Sequence, residues 1–241
     1  MIEVHALSCG YDKTVLHAVE FTAETNLVIL GPNGAGKSTL AKALCGLLPY
    51  KGEVRLHHKD LASYRADERA RTITYIPPKL SSFDAYITVE EFILMGRYPH
   101  KPALSTYTKE DLKMVAHLLN ETGLEAKQAV TTLSSGQQQL LLIAQALVQE
   151  SRIIVFDEPT ANLDPRHAHD LYRALKKLPS ETRKVVISHD LHFARALGYP
   201  VLFLQEGQTR LYEDPRAFFT AENLQACYGV AFNQDLKVAY D

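Results

Sequence analysis

The sequence predicts an α/β fold: a mixed sheet flanked by helices, carrying an inserted α-helical subdomain and an antiparallel β subdomain. Three observations lead to it. Short apolar runs at 27–30, 152–156 and 185–188 have the length and composition of buried strands, and each delivers polar or loop-forming residues at its carboxyl end, where open α/β sheets bind ligands. The stretch 31–39, GPNGAGKST, joins the first of these strands to the helix-prone LAKAL and fits the G-x-x-x-x-G-K-[ST] pattern of a phosphate-binding loop. Between 81 and 132 the pattern turns helical, without intervening strands.

Taken in order, residues 2–7 alternate as an edge or half-buried strand, Cys9-Gly10-Tyr11-Asp12 turns the chain, and Val15, Leu16, Val19 and Phe21 form a second apolar run. Tyr11 is either an ordinary loop tyrosine or a platform for an adenine ring, a stacking worth roughly 1 to 3 kcal/mol. In the phosphate loop, Gly34 and Gly36 permit turns that a Cβ would obstruct. Successive N–H groups then form a nest at a helix N-terminus that holds phosphate oxygens. Lys37 would lie along the β- and γ-phosphates of ATP, and Ser38 would place its hydroxyl on Mg²⁺. Gly31, Pro32, Asn33, Ala35 and Thr39 complete the nucleotide-binding set.

Gly46 and Pro49 stop the following helix; 52–56 is a strand, 67–71 a helical turn, and 72–76 a strand ending on Pro77-Pro78. His57 and His58 read as solvated groups of a strand-end turn rather than as metal ligands. Thr88 with Glu91 is a capping box ahead of apolar Val89, Phe92, Ile93 and Met95. Thr108 with Asp111 starts a second helix carrying Leu112, Val115, Leu118 and Leu119. Between them, Gly96-Arg97-Tyr98-Pro99-His100 is a link expected to expose a cation and an aromatic, as a plain loop or as a docking surface.

Leu133-Ser134-Ser135-Gly136-Gln137 opens a helix over 138–148, and its small residues at an unpaired helix N-terminus make a second anion site, this one without a lysine. The strand at 152–156 ends in Asp157-Glu158-Pro159. Asp157 can hold Mg²⁺ through its waters and Glu158 can polarise an attacking water; acidic capping of the next helix is the structural alternative. Asp164 suits the N-cap, and Pro165 the first position, of a helix ending near Leu178. His189 follows the strand at 185–188, at the same sheet edge as the carboxylates, within reach of a γ-phosphate. The tail reads as a hairpin, 201–204 with 209–211 turning at Glu206-Gly207, and then a helical stretch over 216–228.

The 241 residues make one large or two small domains. Apolar residues at 46% and charged residues at 22% are ordinary for a globular chain, and the net charge of −2 offers no strongly basic surface to nucleic acid or anionic lipid. No apolar run approaches the ~20 residues that span a bilayer. A cytoplasmic chain that reaches a membrane through a protein partner is therefore expected. Cys9, Cys45 and Cys227 are isolated and lack metal-ligand spacing, as packing or surface thiols of a reducing compartment.

In this order the segments resemble the ATP-binding cassette (ABC) ATPases, nearly throughout the chain. GPNGAGKST matches their Walker A; Leu133 to Gln137 resembles the LSGGQ signature; Ile154 to Glu158 matches Walker B; Asn162 to Asp164 resembles the D-loop; His189 matches the switch histidine and Tyr11 the A-loop aromatic. Thr88-Val-Glu-Glu-Phe and Gly96-Arg-Tyr-Pro-His look, more narrowly, like the ATPase subunits of bacterial importers for iron-siderophore, haem or cobalamin chelates. The resemblance implies a P-loop NTPase core over 1–80 and 133–241, with the helical insert at 81–132. It implies two copies packed head to tail, each ATP lying between one chain's Walker A and the other's signature. A polytopic permease would dock on the helical insert, with a periplasmic or surface binding protein engaged only indirectly.

Three positions depart from the family pattern. Pro78 stands where the family carries a glutamine that senses Mg²⁺ and the attacking water; Ser135 replaces a signature glycine; Leu140 replaces an arginine after the signature. Lys79, beside Pro78, cannot ligate Mg²⁺ while protonated. Hydrolysis is still expected, because Walker A, Walker B, Glu158 and His189 are untouched. The alternative is a nucleotide-gated interaction module whose catalysis Pro78 impairs. A nucleic-acid or ribosome ATPase is disfavoured by the charge, the single cassette and the lack of a coiled coil.

Overall fold

The computed structural model describes residues 1–80, 86–102, 104–161 and 163–229. Residues 81–85, where the helical insert is expected to begin, and Asn162 of the D-loop lie outside the described residues. β1 (Ile2–Gly10) and β2 (Thr14–Ala23) form an antiparallel hairpin; β1 also pairs with β4 (Tyr50–Leu56), which pairs with the short β5 (Lys59–Asp60). The order β2-β1-β4-β5 thus puts β1 inside this sheet, not at its edge. It also runs three residues further than expected, so Cys9 and Gly10 pair with Leu16 and Thr14 and the turn is confined to 11–13.

A second sheet contains β3 (Leu27–Leu30), β6 (Ile73–Ile76), β7 (Ile153–Asp157), β8 (Arg183–Ile187), β9 (Val201–Gln205) and β10 (Gln208–Tyr212). Its order is β10-β9-β3-β8-β7-β6, parallel except for β10. Both faces are covered, which is why its strands read as unbroken apolar runs. Leu27 and Ile29 point into one core with α1 (Lys37–Leu44) and the first sheet; Val28 and Leu30 point into the other. The sheets are joined where the His17 N–H donates to the Gly207 carbonyl oxygen at 3.0 Å and the Thr209 hydroxyl to that of Glu20 at 3.2 Å.

The second core is built by helices. After α2 (Ala66–Thr72), which takes Thr72 from the expected strand, come α3 (Val89–Met95), α4 (Lys109–Thr122) and α5 (Ser135–Val148), with α3 and α4 packed on α5. Thr88–Glu91 and Thr108–Asp111 both form complete capping boxes. Phe92 is buried at 1% exposure, worth about 1.5 to 3 kcal/mol. α6 (Pro165–Lys177) begins at its Asp164 cap, and α7 (Leu191–Leu197) at Asp190, whose Oδ1 accepts from the His192 and Phe193 N–H groups. The tail forms two helices rather than one, α8 (Pro215–Phe218) and α9 (Ala221–Tyr228), because Thr220 caps a new start after Phe219 leaves helical geometry.

Candidate functional site

The order β3-β8-β7-β6 decides what meets at the carboxyl edge of the second sheet. It aligns the loop after β3, Ser188 and His189 after β8, Asp157 and Glu158 at the end of β7, and Pro77 and Pro78 after β6. Residues spread over more than half the chain therefore share one edge.

Gly36 caps α1 at φ 101°, and a Cβ there would fall 2.9 Å from the Val15 and Leu16 side chains. No side chain caps this helix, so its first N–H groups remain for a ligand. The Ala35 N–H donates to the Pro32 carbonyl oxygen at 3.2 Å and folds the loop, leaving Asn33 and Gly34 exposed while Gly31 and Thr39 are buried. Lys37, also buried, donates from Nζ to the carbonyl oxygens of Gly31 at 2.8 Å and Pro32 at 3.1 Å. Burial draws its ammonium below the usual lysine range, while Glu158 and Asp157 push the other way.

Asp157 is 1% exposed, yet both its oxygens are engaged: the Ser38 hydroxyl donates to Oδ1 at 3.0 Å and the Tyr75 hydroxyl to Oδ2 at 2.7 Å. Burial and the hydrogen bond to Asp157 push the Tyr75 phenol far above its ordinary range, so it remains a protonated donor. Ser38 and Asp157 supply only oxygen donors. Among the described residues no group of three or more His, Cys, Asp or Glu stands together to hold a metal. So few protein oxygens suit Mg²⁺, which takes one or two carboxylates and completes its shell with water and substrate phosphate, rather than a protein-caged metal.

Glu158 takes a left-handed backbone, φ 50°, a conformation costing a non-glycine residue of order 1 to 3 kcal/mol. Its Oε2 accepts from the His189 N–H at 3.1 Å and lies 2.6 Å from His189 Nδ1. The carboxylate and the histidine thus form one unit. Tyr11, 62% exposed, reaches back to α1, where Lys42 Nζ donates to its hydroxyl at 3.0 Å.

Leu133 is buried, and the helix behind it starts at Ser135, three residues earlier than expected. Its N-terminus is not unpaired as expected: the Gln137 N–H donates to Ser134 Oγ at 3.3 Å and the Ser134 N–H to Gln137 Oε1 at 2.9 Å. This capping box occupies one N–H of the first turn and leaves those of Ser135 and Gly136 for a ligand. Gly136 lies beneath α6, where an added Cβ would sit 3.2 Å from the His167 ring. His167 is itself held by Asp164, whose Oδ1 accepts from its N–H and whose Oδ2 lies 2.9 Å from Nδ1.

Arg97 corrects another expectation. It is not exposed: with its side chain only 11% accessible, it donates to Asp111 Oδ1, the Val148 carbonyl oxygen and Glu150 Oε2, each at 2.6 Å. The aromatic of that link, Tyr98, is 67% exposed. Neither this cross-brace nor Tyr75 was singled out from the sequence. The one available sign was the phase of β6, which puts Tyr75 opposite Val155 and on the face that Asp157 shares.

Residues 16–161 match the ABC transporter family. The chain is 37% identical over 232 residues to the ferric enterobactin transport ATP-binding protein FepC of Escherichia coli (strain K12), covering 93% of this chain and 85% of that one. It is 34% identical over 247 residues to the hemin import ATP-binding protein HmuV of Pseudomonas putida, covering 95% and 93%. A solved dimeric structure of the ATP-binding cassette MJ0796 in a post-hydrolysis state, bound to ADP and Pi, superposes with a TM-score of 0.76 at 27% identity, over 88% of this chain and 98% of that one.

Proposed function

Because the chain belongs to the ABC transporter family and is one of its ATPase cassettes, we propose that it powers import of an iron chelate, haem or cobalamin through a separate polytopic permease. The observation that carries the catalytic part is the Ser38–Asp157 hydrogen bond, which joins the phosphate loop to the carboxylate at the end of β7. The cargo class is supported by relatives named for ferric enterobactin and hemin.

In this reading the backbone of 31–39 and the α1 N-terminus hold the phosphates, and Lys37 turns from its loop carbonyls toward them. Tyr11 stacks on adenine. Ser38 and Asp157 would hold Mg²⁺, whose chemistry when bound would be to neutralise charge on the phosphates. Glu158 receives a proton from the attacking water, and His189 keeps that carboxylate aimed. The second half of each site comes from another copy, whose Ser134, Ser135 and Gly136 approach the γ-phosphate beside the D-loop's Asp164. Residues 1–80 and 133–241 serve as the core and 81–132 as the insert on which the permease docks, at the cytoplasmic face of the membrane. Among the described residues no helix is long and apolar enough to cross a membrane itself.

Pro78 favours a second reading, a nucleotide-gated module that closes without turning over. Steady-state phosphate release by the protein with its membrane partners separates the two. The ATPase reading expects wild-type release well above that of Glu158→Gln; equal rates leave the gated module.

A further inference from the structure

The loop after β6 has no polar side chain at position 78, but β6 itself carries one three residues earlier. We propose that Tyr75 is a positioning residue for the divalent cation: by donating to Asp157 Oδ2, it sets the carboxylate so that Oδ1 faces Ser38 and the cation shared with it. The assignment rests on the ATPase reading and deepens it.

Three observations support it. The terminal torsion of an aspartate is broad, so one donor on Oδ1 alone leaves the carboxylate plane free to swing. Tyr75 removes that freedom from the far side, at 2.7 Å, and Asp157 is too buried for water to do so instead. The tyrosine is also rigidly placed, because its strand pairs in register with β7 from Ile73 opposite Ile153 to Ile76 opposite Phe156. A hydroxyl that only satisfied a buried oxygen would affect folding and nothing specific to the metal. A hydroxyl that aims the carboxylate should alter metal dependence while sparing nucleotide contacts made by the loop.

Tyr75→Phe in the full chain separates these roles. Binding of a fluorescent ATP analogue is measured in EDTA and along a Mg²⁺ titration. The expected result is affinity in EDTA within about twofold of wild type, a half-saturating Mg²⁺ concentration raised roughly 10-fold, and phosphate release recovered at saturating Mg²⁺. An unchanged half-saturating Mg²⁺, or an equal loss of affinity in EDTA, overturns the assignment. If Tyr75→Phe does not fold, Tyr75→Leu, which also lacks the donor, carries the same measurement, and a wild-type Mg²⁺ response at lowered thermal stability overturns it. A wild-type chain whose phosphate release ignores Mg²⁺ overturns the ATPase reading as well, whereas a Mg²⁺-dependent wild type beside a variant with the same half-saturating Mg²⁺ overturns the Tyr75 assignment alone.

Discussion

Lys37 donates to two carbonyl oxygens of its own loop, so its ammonium is already partly desolvated and needs only to exchange acceptors when phosphate arrives. Lys37→Ala removes that charge from a site built for anions. It should lower kcat/KM for ATP by roughly 100-fold or more, measured as phosphate release. At position 78 the direction reverses: Pro78→Gln should raise turnover if the missing amide limits it, and a flat rate would show that another group already serves. The phosphate loop was legible because its chemistry is contained in nine consecutive residues. The Tyr75–Asp157 bond was not, because 82 residues separate its partners and only the strand order brings them together.

Among the elements, α1 and α5 differ at their starts: α1 has no side-chain cap, whereas α5 has a complete box. The boxes of α3 and α4 could be read directly, since S/T-x-x-E/D spacing is local. Arg97 could not, since its partners lie 14 and 53 residues away and turn an apparently exposed loop cation into a brace. Arg97→Ala strands Asp111, whose side chain is 8% accessible, and should cost about 3 kcal/mol in urea unfolding. That corresponds to a melting temperature lower by roughly 6 to 12 °C. Burial works against the Asp111 charge, but the Thr108 N–H and the Arg97 guanidinium outweigh it and hold the carboxyl below the usual aspartate range. A depressed folded value stabilises above the unfolded pKa of about 3.9 and is lost as the pH falls through the folded one. Asp111→Asn should therefore lose less stability than wild type between pH 7 and pH 3.

At the scale of the whole molecule, a sheet buried on both faces keeps the phosphate loop and the loops after β6, β7 and β8 on one edge, and the fold class was legible because doubly covered strands are unmistakably apolar. The subdivision of the tail and the interior place of β1 were not, since caps and pairing partners decide them. If the site is shared between copies, Glu158→Gln with ATP should elute as a dimer in gel filtration, and a monomer at saturating ATP would count against the shared site. α5 adds a mechanical consequence. Its first turn presents Ser135 and Gly136, and its last residue offers the Val148 carbonyl oxygen to Arg97. Fourteen residues of unbroken helix separate the two by about 20 Å. If Ser135 and Gly136 face a phosphate and a partner bears on the insert beside Arg97, a helix of that length acts as a pushrod: it bends little, so the shove arrives at the other end with its stroke nearly intact.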